Sequence, residues 1–170
     1  MGSPDEHADP TLQHLVELTR EGRIVSAFQT THDKFRRYHE ECLRLVTSAA
    51  SDEQARDELL ATIDSYATLF REHHEAEDDY FFPALRRAEP ALDATVDELA
   101  DQHLRLAAQL AIVLDIAGHV SSGTDNEHHL RKLREALRQL QGNVEDHLSF
   151  EEDSTVSVLQ AWTSWPVEQT

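Results

Sequence analysis

The apolar positions of this chain fall into long stripes whose steps alternate between three and four residues, the period of a helix face that packs against other helices. Phe28, His32, Phe35, His39, Cys42, Val46 and Ala49 make one stripe and predict a helix from about Ile24 to Ala50. Ile63, Tyr66 and Phe70 open a second. It continues through His73, Glu77, Tyr80 and Ala84 and predicts a helix ending near Arg87, with Pro83 placed to kink it. A third runs through Leu92, Val96, Leu99, His103, Leu106, Leu110, Val113 and Ala117, with Gly118 as its expected C-cap and a loop over 118–123. A fourth runs through Leu130, Leu133, Leu137, Leu140, Val144, His147, Glu151, Ser154 and Val158. Ser51-Asp52-Glu53-Gln54 and Thr124-Asp125-Asn126-Glu127 read as capping boxes at the starts of the second and fourth helices. Residues 1–10 are acidic, carry two prolines and show no period, which predicts a disordered tail. Residues 11–159 then form one domain, with Thr11–Arg20 a short amphipathic helix or the lead-in to the next one. Residues 160–170 form a C-terminal tail whose Trp162 and Trp165 pack on the domain or meet a partner. Four amphipathic helices with short links predict an all-α protein, an antiparallel up-down-up-down four-helix bundle.

The stripes contain polar residues where apolar ones are due. His32, His73, His103 and His147 each hold a core position on a different helix, and Glu77 and Glu151 follow two of them by four residues. Residues at i and i+4 share a helix face, so each His-x-x-x-Glu pair points at one spot inside the bundle. A single histidine in an apolar stripe is ordinarily a hydrogen-bonded core residue. Six such residues at one phase of four helices, in the repeated order His, His-x-x-x-Glu, His, His-x-x-x-Glu, are not accounted for that way. Burying them unsatisfied costs several kcal/mol, and a cation would satisfy them. The pattern predicts a two-metal site in the bundle core, each ion taking two histidines and the carboxylates bridging. Imidazole suits iron, zinc and copper, and carboxylate suits iron and manganese.

Composition narrows the setting. A formal net charge of −18 over 170 residues disfavours nucleic acid and anionic membrane surfaces as partners. No apolar run is long enough to span a bilayer, and the acidic N-terminus is unlike a secretory signal. One cysteine, Cys42, precludes an internal disulfide and fits a reducing cytoplasm. Cytoplasmic location is the expectation; nothing sets the oligomeric state.

The chain resembles the hemerythrin-like (HHE cation-binding) domain family. The resemblance rests on His-Asp-Lys-Phe-Arg at 32–36, His73-x-x-x-Glu77-Asp78 followed by Tyr-Phe-Phe-Pro, Gln-His-Leu at 102–104 and His147-x-x-x-Glu151-Glu152, and covers about residues 24–159. It implies a non-haem di-iron centre with an oxo or hydroxo bridge that binds O2, nitric oxide or peroxide. It also implies that His32, His73, Glu77, His103, His147 and Glu151 are the iron ligands. The chain departs from the oxygen carriers of that family in three places. Ala107 stands where they have a further third-helix histidine, which leaves a coordination position open or water-filled. Glu151 and Glu152 stand four and five residues after His147, where the carriers have an aspartate at five; the stripe's phase favours Glu151 as the ligand, with Glu152 the alternative. Thr155-Val156 replaces a proline.

An open position favours oxidase, oxygenase, peroxidase or catalase-like turnover of O2 or peroxide, with a small-molecule substrate left unnamed. The alternatives are an O2, NO or redox sensor and an iron-binding bundle without turnover. Around the ligands, His39 reads as an extra ligand, a group that supports ligands or moves protons, or a plain core histidine. Tyr66 and Tyr80 lie on the same stripe, as donors to a bound oxygen species or as packing residues. His74 sits beside the stripe and is expected to flank the site. Glu75, Asp78 and Asp79 read as solvated or ligand-supporting, and Cys42 as a buried small hydrophobe.

Overall fold

A computed structural model of the chain describes residues 9–122 and 126–166. Among these residues there is no strand. Asp9 caps the first helix, accepting from the Thr11 N–H at 2.8 Å, and Pro10 takes the first turn, where its missing N–H costs nothing. Helix α1 therefore spans Pro10–Arg20, and Pro10 is helical where the sequence predicts tail; residues 1–8 lie outside the described residues. Gly22 at φ 68° makes the turn into α2, a conformation that favours glycine.

Helix α2 spans Ile24–Ser48, and its stripe from His32 to Ala49 is buried as expected. Helix α3 spans Glu53–Ala76, and its cap is Asp52, not Ser51: the Asp52 carboxylate accepts from the N–H groups of Gln54 and Ala55. The predicted second helix then breaks its regular winding. Residues Glu77–Phe81 form a π-helical turn, and α4 follows over Phe82–Ala88. Pro83 supplies a reason. In a regular helix its ring would strike the Asp79 carbonyl and it could not donate there; the wider turn just before it, with the Phe82 N–H reaching Glu77 O, opens the ladder.

After a short 3₁₀ turn at Pro90–Leu92, α5 spans Asp93–Ser122. Gly118 is inside α5 and is not its C-cap, because Ala117 and Val120 continue the buried stripe. Their burial outweighs the roughly 1 kcal/mol that a mid-helix glycine costs. Helix α6 spans Asn126–Ala161; Thr124 and Asp125 of the second expected capping box lie outside the described residues. Past Glu151 its buried positions are Thr155 and Leu159, where a strict three-four rhythm expects Ser154 and Val158. A straight helix turns once in 3.6 residues and drifts against that rhythm. The Thr155 hydroxyl is satisfied, donating to Glu151 O at 2.8 Å.

Helix α2 packs on α3 and α6, and α5 packs on α6 and α3. Their apolar faces make two clusters. One holds Phe35, Leu45, Leu59, Phe70, Leu133 and their neighbours. The other holds Leu18 of α1, Phe81, Phe82, Leu99, Leu159 and Trp165. The segment after α6 thus folds back as far as Pro166, whose carbonyl accepts from Arg87 at 3.2 Å. The histidines and glutamates lie between the clusters. Phe35 and Phe70 touch His73 and His74 from one side, and Phe28 and Phe82 touch His32 and His103 from the other. No described helix is long and apolar enough to cross a membrane.

Candidate metal centre

Two groups of donors converge in that layer. His32, His73, Glu77 and Glu151 form one; His74, Glu77, His103 and His147 form the other. Within each, one donor atom per residue lies within 4.8 Å of all the others. Donors ringed around an ion at about 2 Å need such mutual distances. Glu77 belongs to both groups, and the reason is local: it follows His73 by four residues and His74 by three, so its carboxylate stands over both rings. On α6, His147 and Glu151 go to different groups.

All six residues that the stripes single out are therefore brought together, but the division is unequal. The expectation of two histidines per ion gives way to two in one group and three in the other, because His74 does not merely flank the site. It is buried, stacked on His103 with ring centroids 4.0 Å apart. Ala107 is exposed and does not face the centre; the third imidazole of the second group comes from His74 instead. His74 was legible only as the second member of a His-His doublet with a glutamate one turn on.

The outward nitrogens are tied down. His32 Nδ1 donates to Glu152 at 2.7 Å, His103 Nδ1 to Asp78 at 2.9 Å, and His147 Nδ1 to the Gln102 side-chain oxygen at 2.8 Å. Each acceptor is the immediate sequence neighbour of a ligand candidate on one helix and serves a histidine on another. Glu152 is thereby placed as a partner of His32, and Arg36 holds it from α2 at 3.2 Å. Such bonds keep a proton on Nδ1, so that Nε2 is the nitrogen left to face a metal ion.

The inward atoms face only one another, with His32 Nε2 3.4 Å from Glu151 and His103 Nε2 3.4 Å from Glu77. Nε2 of His32, His73, His103 and His147, Nδ1 of His74, and both carboxylate oxygens of Glu77 and Glu151 are buried without a hydrogen bond. The approach of His73 Nε2 to Glu77 at 2.9 Å lacks hydrogen-bond alignment. Each such atom costs about 1–3 kcal/mol, and so many in one layer fit a site built for cations.

Electrostatics agree. Burial drives His147 down to about 3 and His74 down to about 2, with the neighbouring His103 adding to both. Burial lifts Glu151 to about 7, reinforced by the Glu77 charge. Burial opposes a charged His103 as well, yet the Asp78 hydrogen bond and the Glu77 carboxylate carry it up to about 9. The groups thus divide between forms, whereas neutral imidazoles and ionised carboxylates are what a metal ion ligates. Asp78→Ala should leave the fold intact, since Asp78 is exposed, and weaken metal binding about 10- to 100-fold, as loss of a ligand's outer partner does. Competition with a chelator of known affinity measures it.

His39, Tyr66 and Tyr80 are not brought to the donors. The His39 ring packs on Tyr66 at 4.6 Å, inside the first apolar cluster. Phe35 and Phe70 stand between Tyr66 and the candidate ligands, each touching both. Tyr80, displaced by the π turn, packs half-buried on the second apolar cluster. Burial pushes His39 from 6.5 down to about 4. A histidine lowered on folding contributes stability above 6.5 that is lost as pH falls toward 4. Tyr66 faces it from α3, Glu145 and Gln141 from α6, and Arg36 and Glu40 from its own helix. In the metal-free protein, His39→Leu should remove up to about 3 kcal/mol of the stability lost over that window. Urea unfolding of both proteins at each end of the window checks it. The Cys42 thiol is buried and pushed up to about 12, which leaves it inert as a small core residue.

The comparisons with known proteins agree with this geometry. An uncharacterized protein of Mycobacterium tuberculosis (strain H37Rv) and one of Mycobacterium bovis are each 32% identical over 90 residues, which is 52% of this chain and 34% of the relative. The chain thus spans about a third of the length of the curated relatives it matches. No solved structure matches it. The family model for the hemerythrin HHE cation-binding domain matches residues 23–117, which carry His32, His73, His74, Glu77 and His103; the fold adds His147 and Glu151 from α6. The chain belongs to the hemerythrin HHE cation-binding domain family.

Proposed function

We propose that this protein is a non-haem di-iron protein that binds O2, peroxide or nitric oxide and turns over O2 or peroxide. We also propose that its four long helices form an antiparallel up-down-up-down bundle. The bundle is supported by contacts that run in opposite order along neighbours: His32 with Glu152 and Arg36 with Glu145 for α2 and α6, Gln102 with His147 and Gln109 with Asn143 for α5 and α6. The observation that carries the function is the pair of four-donor groups joined by Glu77, with every inward donor unbonded.

Iron held there would supply redox chemistry on O2 or peroxide, and four protein donors per ion leave room for a small ligand on a metal that takes up to six. The chain's own residues set the terms. Glu77 spans the two groups and fixes their separation. Glu152, Asp78 and Gln102 hold the Nδ1 protons of His32, His103 and His147, so those rings cannot turn. Five neutral imidazoles against two carboxylates give a low negative charge, which favours ferrous iron as the form that meets the oxidant. The apolar clusters above and below keep water from most of the layer.

The test is metal content with an optical spectrum, taken anaerobically and again after air or peroxide. Iron with near-ultraviolet bands that appear on oxidation, and oxidant consumed beyond one equivalent, supports turnover. Iron that changes colour without consuming further oxidant would make the protein a sensor or store. Tightly held zinc with no response would end the redox reading.

A further inference from the structure

The donors are sealed on most sides. His32 and Glu151 are fully buried and His74, Glu77, His103 and His147 nearly so, while His73 keeps partial exposure. That exposure opens into a cavity of about 380 Å³ between α1, α2 and α3, with His73 and Glu77 at its floor. A polar depression on the α5–α6 side reaches His147, but Gln102 occupies the Nδ1 edge of that ring.

The cavity is far larger than O2, peroxide or nitric oxide requires. A dry cavity of about 150 Å³ already takes up benzene. Its walls are apolar: Leu15 and Leu18 come from α1, Phe28 from α2 and Phe81 from the π turn. Its polar lining consists of Thr11, His14, Thr31 and Glu72 with the two donors, and no lysine or arginine lines it. Apart from an ion held by His73 and Glu77, no side chain of fixed positive charge lines the cavity, and away from that ion a carboxylate or phosphate on a ligand would meet Glu72. The α1 wall also lies outside the family match at 23–117, so the cavity is completed by a part of this chain that the family model does not cover.

We propose that this cavity binds a neutral, apolar organic molecule of one or two rings and seats it against His73 and Glu77. The inference rests on the reading of those residues as metal ligands. It depends on α1 as the outer wall and on the π turn, which places Phe81 in the cavity and leaves Tyr80 outside its lining.

The test uses the full chain, metal-free and loaded with cobalt(II), titrated calorimetrically with indole and with indole carboxylate. Indole should bind at one site and change the visible cobalt spectrum, and in the metal-free chain, where no ion can ligate it, the carboxylate should bind at least about tenfold more weakly than indole. Ala27→Trp, which fills the cavity from α2, should keep metal content and melting temperature and lose at least about tenfold in indole affinity. Leu15→Trp does the same from α1, so one variant suffices if the other misfolds. Metal-loaded protein that does not bind indole, equal binding of the carboxylate by the metal-free chain, or unchanged affinity in a folded variant would each overturn the proposal while leaving the metal centre standing. Indole bound by a chain that takes up no metal would support the cavity and overturn the metal reading, which separates the two failures.

Discussion

Glu77→Ala is expected to empty the centre of both ions. Glu77 is the one residue common to the two donor groups, and its oxygens are buried with no other partner. Loss of an outer partner of a ligand weakens binding about 10- to 100-fold, so loss of a ligand shared by both ions should exceed that at each. The stability consequence is large. A ligand present at a thousand times its dissociation constant stabilises the folded state by about 4 kcal/mol per site, and the variant forfeits this at both. Metal content and melting temperature, each with and without added iron, separate the outcomes. The variant should hold no iron and melt at the same temperature with and without it. Iron at the wild-type level would remove Glu77 from the centre.

His74→Ala should halve the metal content without emptying the site. The group of His32, His73, Glu77 and Glu151 is complete without His74, whereas the other group loses one of its three imidazoles. In the metal-free protein the same change should cost much less, because His74 Nδ1 has no hydrogen bond to lose. The vacated ring volume next to His103 suggests a direct check: added imidazole should restore the second ion in His74→Ala and do nothing for Glu77→Ala. Two ions bound as tightly as in the wild type would return His74 to the position beside the site that its place in the stripe suggests.

The helices were legible because four long stripes keep a period near 3.5, and the six polar residues were legible because they interrupt those stripes at one phase. What was lost follows from treating each helix as ideal and each turn as offering one inward residue. Two adjoining donor groups are wide enough for two consecutive residues, His73 and His74, to straddle them. The π turn adds a residue that no periodicity announces, so Tyr80 leaves the stripe and Phe81 takes its place; Pro83 was the local clue. On α6 the drift of a 3.6-residue helix moves the buried face from Ser154 to Thr155. Gly118 shows the opposite error, a local stop signal overruled by Ala117 and Val120 in the core. Asp78, Gln102 and Glu152 stand beside ligand candidates in the sequence, but each acts on a different helix, which only the fold reveals.

The central claim is two metal ions sharing Glu77. Anomalous diffraction at the iron edge, from crystals of the iron-loaded chain, tests it most directly. Two peaks per chain, both within bonding distance of the Glu77 carboxylate, one beside His32, His73 and Glu151 and the other beside His74, His103 and His147, are the predicted result. A single peak, or two peaks of which Glu77 touches one or neither, would contradict it.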